Sequence, residues 1–342
     1  MMAQTDFIKD IAKYGLENDQ DRLLASLNEL IDHAKKSKKI NFALQLQSIL
    51  KDSIRQHQTN GLLKVGSPQH YQREEDREVS EFILEKLTSD YQFESLVCTD
   101  SVKEELNYFI KEHQALDVLH KFDLPVSNRV LFYGPPGCGK TLASYVLAGE
   151  LEKLMLVVNL GAIVSSKLGE TSKNLAKVFR RAAAEECIVF IDEFDTLGKV
   201  RDYSQDHGEM KRVVNTLLQL FDYLPSSSVI IAATNQVDMI DEALLRRFDV
   251  KINLELPDES HITELIHKTL KSGLVELDKK NDLPSIVKSC KGLSYYGIQR
   301  TLITAVKRSV IAHPRTNMTK PRINTDLWLE LVRKEKQQFS SQ

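Results

Sequence analysis

The stretch Val130-Leu131-Phe132-Tyr133-Gly134-Pro135-Pro136-Gly137-Cys138-Gly139-Lys140-Thr141 constrains this chain more than any other. An apolar run breaks into G-x-x-x-x-G-K-T and then into the helix-like Leu142-Ala143-Ser144-Tyr145-Val146-Leu147. Locally it reads as a strand, a turn and a helix start. Its glycines let the backbone take positive φ and turn successive N–H groups inward, and the helix N-terminus adds partial positive charge, so main chain can hold an anion. Residues Gly134, Pro135, Pro136, Gly137, Cys138, Gly139, Lys140, Thr141 and Leu142 are therefore expected to cradle the phosphates of a nucleotide. Lys140 would reach the β/γ-phosphates and Thr141 would ligate Mg²⁺. The plainer alternative for the motif alone is a Gly/Pro turn between ordinary elements.

About fifty residues downstream, Ile188-Val189-Phe190-Ile191 runs into Asp192-Glu193. Four consecutive apolar residues fit a fully buried parallel strand, and ligands of open α/β sheets bind at the carboxyl ends of such strands. Asp192 is expected to hold Mg²⁺, and Glu193 to orient and deprotonate the water that attacks the γ-phosphate. A small-molecule kinase carries the first motif too, but it has no need of a water-activating Glu, so the pair argues for hydrolysis rather than transfer. A third apolar run, Val229 to Thr234, ends at Asn235, whose amide can bond the γ-phosphate or the attacking water if the sheet is continuous. Then comes Asp241-Glu242-Ala243-Leu244-Leu245-Arg246-Arg247-Phe248-Asp249, a helix with two adjacent arginines before another apolar strand. A guanidinium suits a developing phosphoryl charge because its planar fork stays charged and binds two oxygens.

The order G-P-P-G-C-G-K-T, F-I-D-E-F-D, A-A-T-N and A-L-L-R-R-F-D resembles the AAA clade of the AAA+ ATPases, over residues near 80 to 342. The resemblance implies a five-stranded parallel αβα (P-loop) domain followed by a small helical lid. It also implies a ring-shaped homo-oligomer, usually a hexamer, with ATP at each subunit boundary. By that likeness Asn235 matches the first sensor, and Arg246 and Arg247 match the fingers offered to a neighbour's ATP; which of the two reaches the phosphate stays open. The segment Gly208 to Leu218 resembles the helix facing the same boundary, so Arg212 is a further candidate to act in trans. Gly292-Leu293-Ser294-Tyr295-Tyr296-Gly297-Ile298 resembles the turn the clade uses beside the adenosine, with Gly297 allowing close approach to the ribose or serving simply as a helix-start glycine.

Many members that thread polypeptide carry an aromatic, an apolar residue and Gly in the loop after the second strand. Here the tract is Ser165-Ser166-Lys167-Leu168-Gly169-Glu170, with Lys167 where the aromatic would stand. An aromatic grips an extended chain by large, sequence-indifferent area, whereas Lys offers a flexible stem and a charge. Lys167 fits an acidic peptide or a solvated loop equally well. Asp202-Tyr203-Ser204-Gln205-Asp206-His207 is a second pore-loop candidate, with an ordinary exposed loop as its plain alternative.

With 342 residues, 42% hydrophobic and 27% charged, the chain can bury one substantial core and one or two small ones. Residues 1 to 60 show apolar residues at spacings of three and four, which predicts a helical module, followed by a polar linker over 61 to 80. The ATPase domain is expected over 81 to 256 and the lid over 257 to 342, with Trp328 in lid packing. Four widely spaced cysteines without C-x-x-C suggest neither a zinc site nor a disulfide frame. No apolar run approaches eighteen residues and no secretion signal is present, so a cytoplasmic protein without membrane contact is expected. A net charge of −2 gives no field for nucleic acid. Near Lys35-Lys36-Ser37-Lys38-Lys39 the first 60 residues hold nine Lys/Arg against eight Asp/Glu, the balance of a solvated helix end.

The expected function is thus an ATP hydrolase that remodels or regulates a protein partner. A helical head before a single compact module also resembles stand-alone bacterial ATPases encoded beside subtilisin-like serine peptidases, a pairing associated with phage defence; that likeness implies a serine peptidase as partner. The rivals are a nucleotide-gated scaffold, against which Glu193 counts, and a DNA-remodelling ATPase, against which the charge balance counts.

Overall fold

The computed structural model describes residues 79–164, 170–196, 207–271, 275–278, 282–312 and 321–340, together with 20–36 and shorter pieces between residues 7 and 46. The expected loop tracts 165–169, with Lys167, and 202–206, and the expected linker up to residue 78, lie outside these residues.

A six-stranded sheet organises the described chain. Its strands are β1 (Ile83–Leu87), β2 (Arg129–Tyr133), β3 (Met155–Val158), β4 (Ile188–Ile191), β5 (Val229–Thr234) and β6 (Val250–Asn253), in the spatial order β1-β3-β4-β5-β2-β6. Five strands are parallel, as expected, and β4 and β5 are buried at every residue, because both faces of the sheet are covered. The sixth, β1, was not anticipated; it pairs antiparallel with β3 at the edge. Its sequence Ile-Leu-Glu-Lys-Leu puts two adjacent charges in mid-strand and breaks the alternation by which a half-buried strand is read.

Alternate residues of the strands feed two separate cores. On one face Leu131, Val189, Ile191, Ile230 and Ala232 pack against α6 (Thr171–Glu185) and α7 (His207–Tyr223), chiefly through Val178, Phe179, Leu217 and Phe221. On the other, Val130, Phe132, Ile188, Phe190 and Ile231 pack against α2 (Asp100–Gln114) and α4 (Lys140–Glu150) through Leu106, Phe109, Val146 and Leu147. Short helices α3 (Leu116–Lys121), α5 (Leu160–Val164) and α8 (Glu242–Leu245) complete the connections.

After β6 the chain is helical, with α9 (Glu259–Thr269), α10 (Leu283–Cys290), α11 (Tyr295–Ala312) and α12 (Thr325–Ser340) around a third core. Trp328 is fully buried there, and its indole N–H donates to Thr301 Oγ1 at 3.2 Å. Two two-residue strands, β7 (Glu276–Leu277) and β8 (Arg322–Ile323), pair in parallel beside these helices. Near the amino end, α1 (Gln20–Lys36) contributes Ile31 and Ala34 to a small cluster with Ala43, and Phe7 meets the His33 ring at 5.5 Å.

Candidate functional site

The loop between β2 and α4 has the conformation its glycines permit. Gly134 has φ +133°, and a Cβ there would stand 2.3 Å from the Leu254 carbonyl oxygen; at Gly137, φ is +74° and a Cβ would stand 2.6 Å from Ser294 Oγ. No other residue fits either place without moving backbone or the start of α11. Gly139 occupies the N-cap of α4, so the first free N–H groups of that helix open onto the loop. Lys140 is only 7% exposed and donates to the carbonyls of Gly134 and Pro135, both at 2.8 Å. Burial pulls its ammonium pKa down, opposed by the Asp192 and Asp195 carboxylates. The Cys138 thiol is buried and its pKa is raised by that burial.

The second half of the site arrives on β4. Thr141 Oγ1 donates to Asp192 Oδ2 at 2.9 Å, joining residues 51 positions apart. The other Asp192 oxygen accepts the Glu193 N–H at 2.8 Å. Glu193 has φ +50°, a left-handed conformation that a non-glycine residue adopts at a cost and that recurs at functional sites. The turn is held there by the neighbouring strand. The Phe194 N–H donates to the Ala233 carbonyl at 2.9 Å, and Thr234 Oγ1 donates to the buried Asp195 at 2.9 Å. These two bonds fix the end of β5 beside the end of β4, which brings Asn235 to the same opening as Asp192 and Glu193.

All three line a pocket of about 500 Å³ whose wall also includes Pro136 to Leu142. Of its remaining wall, only Tyr295 and Tyr296 fall in a tract expected there, the one resembling the turn beside the adenosine. Ser95, Leu96 and Val97 come from the segment before α2, Leu265, Lys268 and Thr269 from α9, and Tyr295, Tyr296 and Gln299 from the start of α11. The α9 trio has the i, i+3, i+4 spacing of one helix face, and that is its only sequence signal. Burial depresses the Lys268 pKa and, together with nearby negative charges, raises that of Tyr295. Apolar and aromatic walls beside an anion-binding loop suit a base and sugar attached to phosphates. The Tyr296 N–H donates to the Gly137 carbonyl at 3.1 Å, so the loop and α11 are joined directly. Gly297 is buried but is not part of the pocket wall; a Cβ there would stand 3.4 Å from Glu335 Oε1 and 3.6 Å from Ser294 Oγ.

Arg246 and Arg247 lie elsewhere. Phe248 is buried with edge contacts to Phe194 and Phe221, at 5.8 and 5.4 Å between ring centroids. The Asp249 carboxylate accepts the N–H groups of Asn128 and Arg129 at 3.0 Å and Arg129 Nε at 3.2 Å. These bonds anchor the segment at the start of β2, whereas the phosphate loop follows its end, a strand length of roughly 15 Å away. From that anchor Arg246 is exposed and pairs with Glu242, and Arg247 pairs with Asp222, which Arg129 also approaches at 3.5 Å. Arg212 is exposed on α7.

Comparison with known proteins agrees with this geometry. The family model described as "ATPase family associated with various cellular activities (AAA)" matches residues 130–256. An AAA family ATPase of Sinorhizobium fredii is 33% identical over 228 residues, which cover 67% of this chain and 68% of that protein. The chain belongs to the AAA family of ATPases. A protein of Methanocaldococcus jannaschii named as a 26S proteasome regulatory subunit homolog is 34% identical over 196 residues, 56% of this chain and 52% of that protein. As an AAA ATPase the chain binds nucleotide and hydrolyses ATP, and the apposed ends of β2, β4 and β5 are where its pocket lies. Among the described residues no helix is long and apolar enough to cross a membrane, and no cluster of three or more His, Cys, Asp or Glu is placed to hold a metal by itself.

Proposed function

We propose that this AAA ATPase is a Mg²⁺-dependent motor whose catalytic sites are completed between copies of the chain, and that it couples hydrolysis to remodelling a protein partner in the cytoplasm. The observation that carries the catalytic part is the Thr141–Asp192 hydrogen bond at 2.9 Å, directly beside Glu193. The two residues offer hard oxygen donors and no soft ligand, the set that suits an ion which keeps most of its coordination for water and phosphate oxygens. Such a cation, held by Thr141 and Asp192, would neutralise charge on the β- and γ-phosphates.

The chain's own residues supply the rest. Backbone N–H groups of Gly137, Cys138 and Gly139 and the N-terminus of α4 bind the phosphates, and Lys140 turns its ammonium from its loop carbonyls to their oxygens. Glu193 accepts a proton from the water as that water attacks the γ-phosphorus; the bond to the β–γ bridging oxygen breaks, leaving ADP and phosphate. Asn235 orients the water or the γ-phosphate. Arg246 and Arg247, anchored at the far end of β2, serve a neighbouring copy rather than their own pocket, in a ring that is expected to be a hexamer. We assign residues 81 to 256 to the ATPase domain, 257 to 342 to the lid and 1 to 60 to a recruiting module. The archaeal relative's name supports a protein as the partner. A subtilisin-like serine peptidase rests on resemblance alone and requires that one co-purify with the chain.

The test is direct. Glu193→Gln retains ATP unhydrolysed, with turnover lowered by about two to four orders of magnitude, the scale of a lost general base. Lys140→Ala loses nucleotide binding itself. A Glu193→Gln protein that still turned over at the native rate would remove Glu193 as the base.

A further inference from the structure

Three residues connect the last helix to the pocket, and two of them, Arg300 and Glu335, belong to no motif described above. Glu335 on α12 is 5% exposed, and one of its carboxylate oxygens, Oε2, accepts from Arg300 Nη2 on α11. Its other oxygen, Oε1, is buried with no hydrogen-bond partner among the described residues. Arg300 is half exposed, and its guanidinium carbon lies 5.8 Å from the centre of the Tyr296 ring, one helical turn earlier. Tyr296 in turn lines the pocket, and its N–H holds the Gly137 carbonyl of the phosphate loop at 3.1 Å.

A tyrosine that is 58% exposed is free to swing among rotamers, and a swing away would open the pocket wall. A guanidinium over its ring restrains it, but a lone surface arginine is itself mobile and contributes little. The buried carboxylate changes that balance. Glu335 is desolvated whether or not Arg300 is there, so the arginine has one strongly preferred partner, and the ring beneath it one preferred position. Hydrogen bonds to Glu335 raise the Arg300 pKa further, so the cation is fixed at every physiological pH.

We propose that Glu335, Arg300 and Tyr296 form a positioning relay through which the placement of the C-terminal helix sets the enzyme's affinity for nucleotide. Tyr296 is the contacting residue; Arg300 and Glu335 act through it. Displacing α12, as a partner bound to it would, withdraws Glu335, frees Arg300 and lets Tyr296 leave the pocket wall. The relay acts on binding and leaves the chemistry at Glu193 alone, so KM moves and kcat does not.

This rests on the nucleotide reading of the pocket, and equilibrium binding of a fluorescent ATP derivative to the full chain tests the two separately. Lys140→Ala must abolish binding; if it does not, the pocket reading fails whatever the other variants do. With that control in hand, Tyr296→Ala is expected to weaken binding roughly two- to tenfold, the scale of one aromatic contact. Arg300→Ala and Glu335→Gln each give part of that loss, and Tyr296→Ala/Arg300→Ala and Tyr296→Ala/Glu335→Gln bind no more weakly than Tyr296→Ala alone. Arg300 is half exposed, so its variant remains informative if Glu335→Gln folds poorly. Losses that add in the double variants would overturn the relay and leave Glu335 a structural residue only. So would a Tyr296→Ala protein with native affinity.

Discussion

At Gly297 the protein's own packing leaves room for a methyl group, since the nearest atoms stand 3.4 and 3.6 Å from where a Cβ would be. Glycine within a helix costs about 0.5–1 kcal/mol relative to alanine, so packing gives no reason to keep it. Close approach of a ribose is a reason that packing does not show. Gly297→Ala is therefore expected to raise Tm slightly while raising KM for ATP; calorimetry and steady-state kinetics read both. A fall in Tm would mean that the protein itself requires the glycine, and an unchanged KM would remove Gly297 from the site. Gly137 is the contrasting case, because its positive φ and the 2.6 Å approach of Ser294 Oγ forbid a side chain with or without nucleotide. Glu193 shows a third kind of constraint. Its φ of +50° is held by the bonds that tie Phe194 and Asp195 to β5, so the proposed base is aimed by its neighbours rather than by its own conformational preference.

Single elements carry the site as units, and α2 shows how one is secured. Its N-cap Thr99 accepts the Val102 N–H, and near its other end His113 Nε2 donates to the Ser127 carbonyl at 2.8 Å, just before β2. Burial lowers the His113 pKa below its ordinary 6.5, and its Nδ1 is buried without a hydrogen-bond partner among the described residues. The folded state thus favours neutral imidazole. The unfolded chain takes up a proton as pH falls through 6.5 and the folded chain only lower, so stability from this group is full above about 6.5 and is lost as pH drops toward the folded value. Thermal melts at pH 7.5 and 5.5 should show a loss in the native protein that is smaller in His113→Asn. An equal loss in both would place the titration elsewhere. At this scale the sequence was legible where short motifs carry their own geometry. The phosphate loop, Asp192-Glu193 and Asn235 could be read because each follows a continuous apolar run that ends in turn or polar residues, the pattern of a buried parallel strand. Strand β1 was not, because Glu85 and Lys86 interrupt its pattern, nor were β7 and β8, which are two residues each. Leu96, Val97, Leu265 and Lys268 reach the pocket only through folding, and nothing local marks them beyond the helical spacing of the last two.

Over the whole molecule, the nucleotide pocket and the two arginines proposed to serve a neighbouring copy lie toward opposite ends of β2. The phosphate loop, Thr141, Asp192, Glu193 and Asn235 gather where the parallel strands end, while Asp249 fastens Arg246 and Arg247 where β2 begins. Buried aromatic contacts of Phe248 with Phe194 and Phe221 make that anchor part of the core, so the arginines cannot swing the length of the sheet to their own pocket. A second copy presenting its strand-start face to the first copy's pocket removes the gap without any change of fold. Catalysis shared between copies of the chain is what this arrangement predicts. It is tested by mixing two inactive proteins, Arg246→Ala/Arg247→Ala and Glu193→Gln, and following ATP turnover while native mass spectrometry establishes that they co-assemble. Each mixed boundary that pairs an intact Glu193 with intact arginines should hydrolyse ATP, so turnover should exceed that of either protein alone. Co-assembly without any recovered turnover would contradict it.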